Sequence, residues 1–202
     1  MTVVRIVDDA DRAAATIAAG GLLERHSVVM VCDLARTSPV QSPAGFTIAP
    51  MEAARVREYG EVVMRAYPPD HPDHEPSDAD PEATGEVFLQ FLRGEEIGPW
   101  IASASLHATD ADDRVVGALL INETAASDAI PAGPFVTNLC VDPRYAGHGL
   151  GSSLLTIATA RLAALGWQHV SLVVTVGNPA QRVYERLGFQ VVAESWRIEL
   201  PS

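Results

Sequence analysis

The feature that most constrains this chain is a strand, a glycine-rich loop and a helix in direct succession. Residues 135–141, Phe-Val-Thr-Asn-Leu-Cys-Val, are predicted to form a strand, and residues 152–165 carry Leu and Ala on one face at helical spacing. Between them, glycines occupy three alternate positions: Gly147, Gly149 and Gly151. This order predicts an α/β protein in which the loop joins a central strand to a packed helix.

The glycine loop favours the binding of an anion. Glycine has no Cβ, so its backbone N–H groups can turn toward a bound group and approach it closely. The start of the following helix adds unpaired N–H donors and the positive end of the helix dipole. Together these features predict a cradle for a pyrophosphate, with an ordinary turn as the alternative.

Two common phosphate-binding motifs do not fit this loop. A P-loop carries Lys followed by Ser or Thr after its last glycine, whereas Gly151 is followed by Ser152 and Ser153. The dinucleotide fingerprint Gly-x-Gly-x-x-Gly has a different glycine spacing and an acidic residue about 20 positions later. The next predicted strand, residues 170–176, contains no carboxylate. The loop therefore belongs to neither class.

Composition and charge argue against several other classes. The chain has 202 residues, 48% of them hydrophobic, which suits one domain, with or without an appendage, around a buried core. Its net charge of −12 argues against nucleic-acid binding, which depends on clustered Lys and Arg. No apolar run approaches the ~18 residues that span a bilayer, and no basic region leads into an apolar stretch. We therefore expect a cytoplasmic protein with neither a nucleic-acid nor a membrane partner.

Neither the cysteines nor the acidic loop predicts a metal site. Cys32 and Cys140 lie inside apolar runs, which is typical of buried thiols rather than of a disulfide or a metal-binding pair. Residues 68–82 carry several prolines and many carboxylates, so they cannot form regular structure. Residues 70–75, Asp-His-Pro-Asp-His-Glu, invite a metal hypothesis, but the prolines and crowded charges favour a solvated loop. We predict no metal.

The rest of the chain alternates between helices and strands. The predicted helices are residues 10–19, 51–67, 82–92 and a helix from Asn178 to Gly188, and the predicted strands are residues 27–34, 46–48, 100–107, 114–121, 190–193 and 196–200. Residues 37–45 carry two prolines, typical of a linker. Residues 1–45 are therefore predicted to be an accessory segment and residues 46–202 the main domain.

The accessory segment echoes the end of the chain, because in both places a glycine-terminated helix leads into an apolar strand. Two explanations stay open at this point. The segment is either the remnant of a duplicated domain or a strand added to the edge of the sheet. A strand that exposes so much Val and Met would invite self-association, so a homodimer is a further open alternative.

Two segments of the C-terminal third resemble motifs of the GCN5-related N-acetyltransferase (GNAT) family. Residues 139–152, Leu-Cys-Val-Asp-Pro-Arg-Tyr-Ala-Gly-His-Gly-Leu-Gly-Ser, are similar to the acetyl-CoA loop of that family. Residues 178–189, Asn-Pro-Ala-Gln-Arg-Val-Tyr-Glu-Arg-Leu-Gly-Phe, are similar to its closing motif. The motifs stand in the family's order, separated by one helix and one strand. The resemblance covers residues 46–200, and its specific part is residues 135–189.

The resemblance implies an α/β fold with a mixed, splayed central sheet of the acyl-CoA N-acyltransferase type and helices on both faces. The strand at residues 135–141 would splay from the strand at residues 170–176. The pantetheine arm of acetyl-CoA, the co-substrate, would lie in the gap and bond to Leu139 and Val141, on either side of Cys140, with Asn178 reaching toward it. The pyrophosphate would sit on backbone N–H groups of seven residues: Ala146, Gly147, His148, Gly149, Leu150, Gly151 and Ser152.

The chain departs from the family pattern at two points. The family usually has Arg or Gln where this chain has Ala146. Since backbone amides carry most of the cradle, we expect cofactor binding to survive with a weaker affinity. Asn178 and Tyr184 are six positions apart, whereas the family usually has seven, so the second departure concerns the position of Asn178.

The implied activity is acetyl transfer from acetyl-CoA to a primary amine of a small molecule or peptide. Tyr184, a phenol with a pKa near ~10, would be the general acid that protonates the departing thiolate; a core tyrosine is the alternative. Glu123 is the candidate base, against the alternative of a solvated carboxylate at a strand end. His107 is predicted to be a core or surface histidine. A different interpretation, favoured by Ala146, is a catalytically degenerate acyl-CoA-binding module acting as a sensor or partner subunit.

Overall fold

The computed structural model describes residues 2–36, 42–75, 80–127 and 129–201, and these form one eight-stranded sheet with helices packed on it. The helices are α1 (Ala10–Ala18), α2 (Val56–Ala66), α3 (Pro81–Arg93), α4 (Leu150–Ala164) and α5 (Gln181–Arg186). The strands are β1 (Thr2–Val7), β2 (Leu22–Asp33), β3 (Thr47–Pro50), β4 (Leu106–Thr109), β5 (Val115–Thr124), β6 (Gly133–Val141), β7 (His169–Thr175) and β8 (Gln190–Leu200). Residues 37–41 of the predicted linker and residues 76–79 of the acidic loop lie outside the described residues.

The strands lie in the order β1-β8-β2-β7-β6-β5-β4-β3. β6 and β7 are parallel neighbours, and the other neighbouring pairs are antiparallel. A sheet with one parallel junction among antiparallel pairs is mixed, as the resemblance predicted. The predicted fold class is confirmed.

Both faces of the sheet are covered around β5 and β6. On one face α4 buries Leu154, Leu155 and Leu162 in the larger of the hydrophobic clusters. On the opposite face α2 and α3 bury Tyr59 and Phe88 against β5 and β6. The leucines and aromatics recur at helical spacing, so each helix presents one continuous apolar side to the sheet.

The N-terminal segment supplies part of the sheet itself. β2 pairs with β7 through residues 27–33 and with β8 through residues 22–31. Successive residues 27–30 are all buried, which a strand achieves only when both of its faces are covered. Of the two explanations left open for this segment, a strand added to the edge of the sheet describes β1 but not β2, which lies between β8 and β7. No break in the sheet separates residues 2–36 from the remainder of the described chain.

Three predicted elements differ from those observed. The strand expected at residues 100–107 is reduced to β4. The Ser105 hydroxyl donates to the Ile101 carbonyl and accepts from the Ile121 N–H at 2.9 Å, so a turn replaces strand pairing before β4. The two strands expected at residues 190–193 and 196–200 are one strand, β8, which pairs continuously past residue 195. The helix expected at residues 51–67 begins only at Val56, after a short 3₁₀ turn.

Candidate active site

The centre of the site is a gap between two parallel strands. Pairing between β6 and β7 is confined to Phe135 and Ser171, and the strands separate beyond that point. The predicted splay is therefore present. A cavity of about 270 Å³ lies in the gap, with Leu139 of β6, Val173 of β7 and Tyr184 of α5 among its walls.

The backbone of β6 presents unpaired groups to this gap. The Asp142 N–H donates to the Val116 carbonyl at 2.8 Å, so Asp142 and Val116 of β5 form a hydrogen-bonded pair. Such pairs alternate along antiparallel strands, which places the backbone groups of Cys140 toward β5 as well. The backbone groups of Leu139 and Val141 therefore face the gap. This is the orientation that an extended ligand needs in order to pair with β6 as an added strand.

One of these backbone groups already has a side-chain partner. The Tyr67 hydroxyl, just after α2, donates to the Leu139 carbonyl at 2.6 Å. An extended ligand that pairs with Leu139 must share or displace this hydrogen bond. Sequence reasoning missed Tyr67, because nothing in the local pattern around α2 indicates a partner 72 residues away.

The glycine loop has the conformation of an anion cradle. Gly147 and Gly149 have φ of +81° and +74°, a region that favours glycine, and a Cβ at either position would meet no protein atom within 4 Å. The space above the loop is therefore open to a ligand. Gly149 is the N-cap of α4, and the first hydrogen bond of the helix runs from the Ser153 N–H to the Gly149 carbonyl at 2.9 Å.

The amides of Leu150, Gly151 and Ser152 precede that first helical bond, so they point out of the helix end as donors. Two of the predicted cradle residues have contacts within the loop. The Ala146 N–H donates to the Pro143 carbonyl at 3.1 Å, and His148 Nδ1 donates to the Tyr145 carbonyl at 3.1 Å. Ala146 thus shapes the turn, and the later residues offer the free amides.

A buried carboxylate fixes the start of the loop. Asp142 has no exposed surface, accepts a hydrogen bond from the Arg144 backbone N–H at 3.0 Å and forms ion pairs with Arg65 and Arg144. Burial alone would raise the pKa of Asp142, but the hydrogen bonds from Arg144 and Arg65 outweigh it and hold the pKa at about 2. The carboxylate ties α2 to the end of β6, which keeps the loop in register with the gap.

Tyr184 lies where a general acid would be needed. It is 9% exposed, it lines the cavity in the gap, and its hydroxyl forms no hydrogen bond with any of the described residues. Burial, together with the negative charge of Asp73, raises the pKa of Tyr184 to about 12. The phenol therefore keeps its proton at neutral pH.

Asp73 is the site residue that sequence reasoning did not single out. It comes from the acidic loop between α2 and α3 and accepts hydrogen bonds from Arg25, Thr175 and Asn178 inside the cavity. Burial works to raise the pKa of Asp73, but the Thr175 hydrogen bond and the Arg25 charge outweigh it, so the pKa lies below its usual value. The loop was predicted, but its contact with β7 and α5 was not.

Asn178 has two roles in the structure. Its side-chain oxygen accepts from the Ala180 N–H at 2.8 Å, which orders the turn before α5, and the helix expected from Asn178 begins only at Gln181. Its side-chain nitrogen donates to Asp73. A second asparagine on the cavity wall, Asn138, has a buried Oδ1 without a hydrogen-bond partner among the described residues. Such an orphaned acceptor suits a ligand that brings an N–H or O–H donor into the gap.

The structure does not bring Glu123 to this cavity. Glu123 is exposed at the end of β5 and pairs with Pro134, beyond the point where β6 and β7 meet. His107 is buried beside Tyr59, with 3.1 Å between its Nδ1 and the Tyr59 hydroxyl, and burial lowers the pKa of His107. It is a core histidine, one of the two predicted environments.

The remaining predictions concern thiols, metals and membranes. Cys32 and Cys140 are both buried thiols, as their apolar surroundings predicted. Within the described residues, no group of three His, Cys, Asp or Glu side chains is arranged to hold a metal ion. The same part of the chain contains no helix long and apolar enough to cross a bilayer.

Comparisons with known proteins agree with this geometry. Residues 102–191 match the family model of the acetyltransferase (GNAT) domain, a range that includes the glycine loop, both strands of the gap and Tyr184. The fold resembles the crystal structure of a GCN5-related N-acetyltransferase from Sphaerobacter thermophilus, with a TM-score of 0.70 at 19% identity over 98% of this chain and 59% of that one. The fold matches the acyl-CoA N-acyltransferase fold. Residues 102–191 are therefore similar to a GNAT acetyltransferase domain.

Two curated proteins are similar in sequence. A mycothiol acetyltransferase from Geodermatophilus obscurus is 36% identical over 117 residues, which are 56% of this chain and 38% of that protein. A mycothiol acetyltransferase from Clavibacter michiganensis is 29% identical over 153 residues, which are 75% of this chain and 44% of that protein. The matched regions thus span about two fifths of the length of these relatives.

Proposed function

We propose that this chain transfers an acetyl group from acetyl-CoA to a primary amine of a small molecule or peptide. The observation that carries the proposal is the position of Tyr184. Its protonated hydroxyl lines the same gap as the backbone groups of Leu139 and Val141, and it has no partner among the described residues. The glycine cradle at the start of α4 lies just beyond the end of β6, where the phosphates of an extended cofactor would reach.

When bound, acetyl-CoA supplies the thioester that acylates the amine. The backbone N–H of Val141 faces the gap and would stabilise the developing oxyanion of the thioester carbonyl. The amine nitrogen forms the new C–N bond, the C–S bond breaks, and Tyr184 gives its proton to the departing sulfur. The proton lost by the amine goes to a carboxylate, and solvent returns a proton to the tyrosine.

Asp73 is the carboxylate that we propose for the amine side of the reaction. It is ionised, it lies in the cavity, and its charge acts on Tyr184. Glu123 does not line the cavity, so Asp73 replaces it as the candidate base. An anionic group at this place also attracts the ammonium form of the acceptor, from which a proton must leave before attack.

A second candidate function is a non-catalytic acyl-CoA sensor. Two contacts favour this function. Tyr67 donates a hydrogen bond to the Leu139 carbonyl, and Asp73 accepts one from Asn178, so both groups that are expected to meet pantetheine already have protein partners. Ala146, in place of the usual Arg or Gln, points the same way. On this reading the protein would bind acetyl-CoA, rearrange the acidic loop and release no thiol.

Tyr184→Phe separates the two candidates. It removes one hydroxyl and keeps the packed ring, so we expect unchanged acetyl-CoA affinity and a kcat lower by ~10²–10⁴-fold, the range of general acid catalysis. The assay is thiol release from acetyl-CoA across a panel of amines, beside a calorimetric titration of acetyl-CoA. Tyr145→Phe is the matched control, because its hydroxyl bonds to Asp110 outside the cavity. A kcat within about threefold of wild type would remove Tyr184 as the acid, and binding without turnover on any amine would favour the sensor.

A further inference from the structure

Three arginines lie side by side on the sheet, and we call them the arginine row. Arg5 of β1 is directly opposite Arg197 of β8, and Arg197 is directly opposite Arg25 of β2. Directly opposed residues project from the same face of a sheet, and neighbouring strands are about 4.8 Å apart. The row therefore spans about 10 Å across three strands.

The row lies on the same face of the sheet as α2 and α3, beyond the strands that these two helices cover. Alternate residues of β7 separate the two faces: Leu172 and Val174 pack in the α4 cluster, so Val173 and Thr175 face the other way. Arg25 Nε donates to Thr175 at 2.7 Å, which places the row on the same side as Val173 and Thr175. Among the described helices, α2 and α3 cover this side at β5 and β6 only.

The arginines line a cavity of about 250 Å³. Ser27 and Ser195 add hydroxyls to its wall, and Phe135 and Val173 add apolar surface. None of the described residues that line this cavity is Asp or Glu. The chemistry of the wall, three guanidinium groups and two hydroxyls, suits an oxyanion such as a phosphate monoester or a carboxylate, which Arg binds through paired N–H donors.

Carboxylates pair with two of the three arginines, and among the described residues Arg5 has no such partner. Like charges directly opposite one another on a sheet repel, and this chain has only 14 basic residues, all of them Arg. Arg197 forms an ion pair with Glu24 at 2.9 Å, and Arg25 forms ion pairs with Asp73 and Glu75. Arg5 forms no ion pair within the described residues. Asp73 and Glu75 line the catalytic cavity rather than this one. A guanidinium has five N–H donors, so each arginine keeps donors for a ligand.

The two cavities are neighbours. Arg25 and Val173 line both the cavity of the arginine row and the cavity that contains Tyr184. We propose that the arginine row is an oxyanion-binding site and, resting on the proposed function, that it receives the anionic group of the acceptor amine. The acceptor is then a small molecule with a primary amine at one end, near Asp73 and Tyr184, and a phosphate or carboxylate at the other.

The first experiment measures anion binding without any catalysis. Inorganic phosphate and succinate are titrated by calorimetry at constant ionic strength, so that the two arms distinguish phosphate from carboxylate. We expect millimolar or tighter binding of at least one of them, weakened about tenfold or more by Arg5→Gln/Arg197→Gln. The matched control, Arg57→Gln/Arg114→Gln, removes the same charge from two exposed positions and should leave binding unchanged. Equal weakening in both double variants, or no binding of either anion to wild type, overturns the site.

The second experiment tests the acceptor role. Ethanolamine, phosphoethanolamine and β-alanine carry the same amine with a neutral, a phosphate or a carboxylate end. We expect a kcat/KM about tenfold or more higher for one of the anionic amines, and Arg5→Gln/Arg197→Gln should abolish the preference. If wild type binds the anions through the row but acetylates no amine, the site stands and the proposed function fails. If the three amines are acetylated equally, the function stands and the acceptor role of the row is wrong.

Discussion

Strands β5 and β6 lie between helices on both faces, whereas β1 and β8 have helix α1 on one face and share the arginine row with β2 on the other. The first region buries almost every side chain of β5. The second alternates the apolar residues Trp196 and Ile198 with the polar residues Ser195, which is buried, and Arg197, which is exposed. The closed region holds β6 and the glycine loop in a fixed position, and the open region leaves room for a second ligand beside the gap. One half of the sheet therefore provides rigidity, and the other half provides access for a ligand.

Met30→Ala is the strongest test of whether β2, in the open half, belongs to the same hydrophobic core as the closed half. Met30 is fully buried in the α4 cluster, so we expect its truncation to lower the free energy of unfolding by about 2–5 kcal/mol. Urea denaturation measures the loss. Leu22→Ala in the same strand is the control, because Leu22 is 64% exposed and should change stability by about 0.5 kcal/mol or less. Equal effects of the two substitutions would mean that β2 is an appendage.

Gly149→Val probes the cradle in the closed half. Its φ of +74° strains any other residue by about 1–2 kcal/mol, and the new side chain enters the open space above the loop. We expect acetyl-CoA affinity to fall by about 100-fold in a calorimetric titration. Gly45→Val is the matched control, since Gly45 has a φ of +85° and equally open surroundings away from the gap. Unchanged affinity in Gly149→Val would show that the loop is an ordinary turn.

Lowering the pH tests the carboxylate that joins α2 to the loop. The pKa of Asp142 is about 2 in the folded protein and about 3.9 in the unfolded chain. The ionised carboxylate therefore stabilises the fold fully above the unfolded-state pKa, and this contribution is lost as the pH falls toward the folded-state pKa. We expect about 2 kcal/mol of unfolding free energy to disappear over that interval in wild type and not in Asp142→Asn. Asp112→Asn, at an exposed position, should keep the wild-type profile. Identical profiles for wild type and Asp142→Asn would contradict the assignment.

Tyr67→Phe should have the smallest effect. Removing the hydroxyl frees the Leu139 carbonyl of a competing hydrogen bond worth about 1 kcal/mol, so acetyl-CoA should bind about fivefold more tightly. The same titration measures the change, with Tyr145→Phe as the control. A weaker affinity in Tyr67→Phe would mean that Tyr67 helps to hold the cofactor instead of competing with it.

The predictions that succeeded rest on local patterns. The period of the leucines fixes α4, the glycines fix the turn before it, and Asn178 orders the entry to α5. Each of these features depends on residues within a few positions of one another. The resemblance to the GNAT motifs rests on the same short segments, which is why the splay of β6 from β7 could be predicted.

The predictions that failed depend on partners far away in the chain. An edge strand was one of the two explanations left open for β2, because its own sequence does not show that β7 and β8 will flank it. Asp73 reaches Asn178 across 105 positions, and Arg25 reaches Thr175 across 150. No period of 2 or 3.6 residues carries information over such separations.

The resemblance of two short motifs to the GNAT family implied the acyl-CoA class of the domain, and the sequence by itself determined the strand, glycine loop and helix that carry the first of them. Local backbone preferences and the spacing of apolar residues are sufficient for that. Only the tertiary structure decided that Asp73, rather than Glu123, enters the gap and that Arg5, Arg25 and Arg197 stand in one row. Register across a sheet depends on which strands meet, and that is settled by burial over the whole core and not by any single segment.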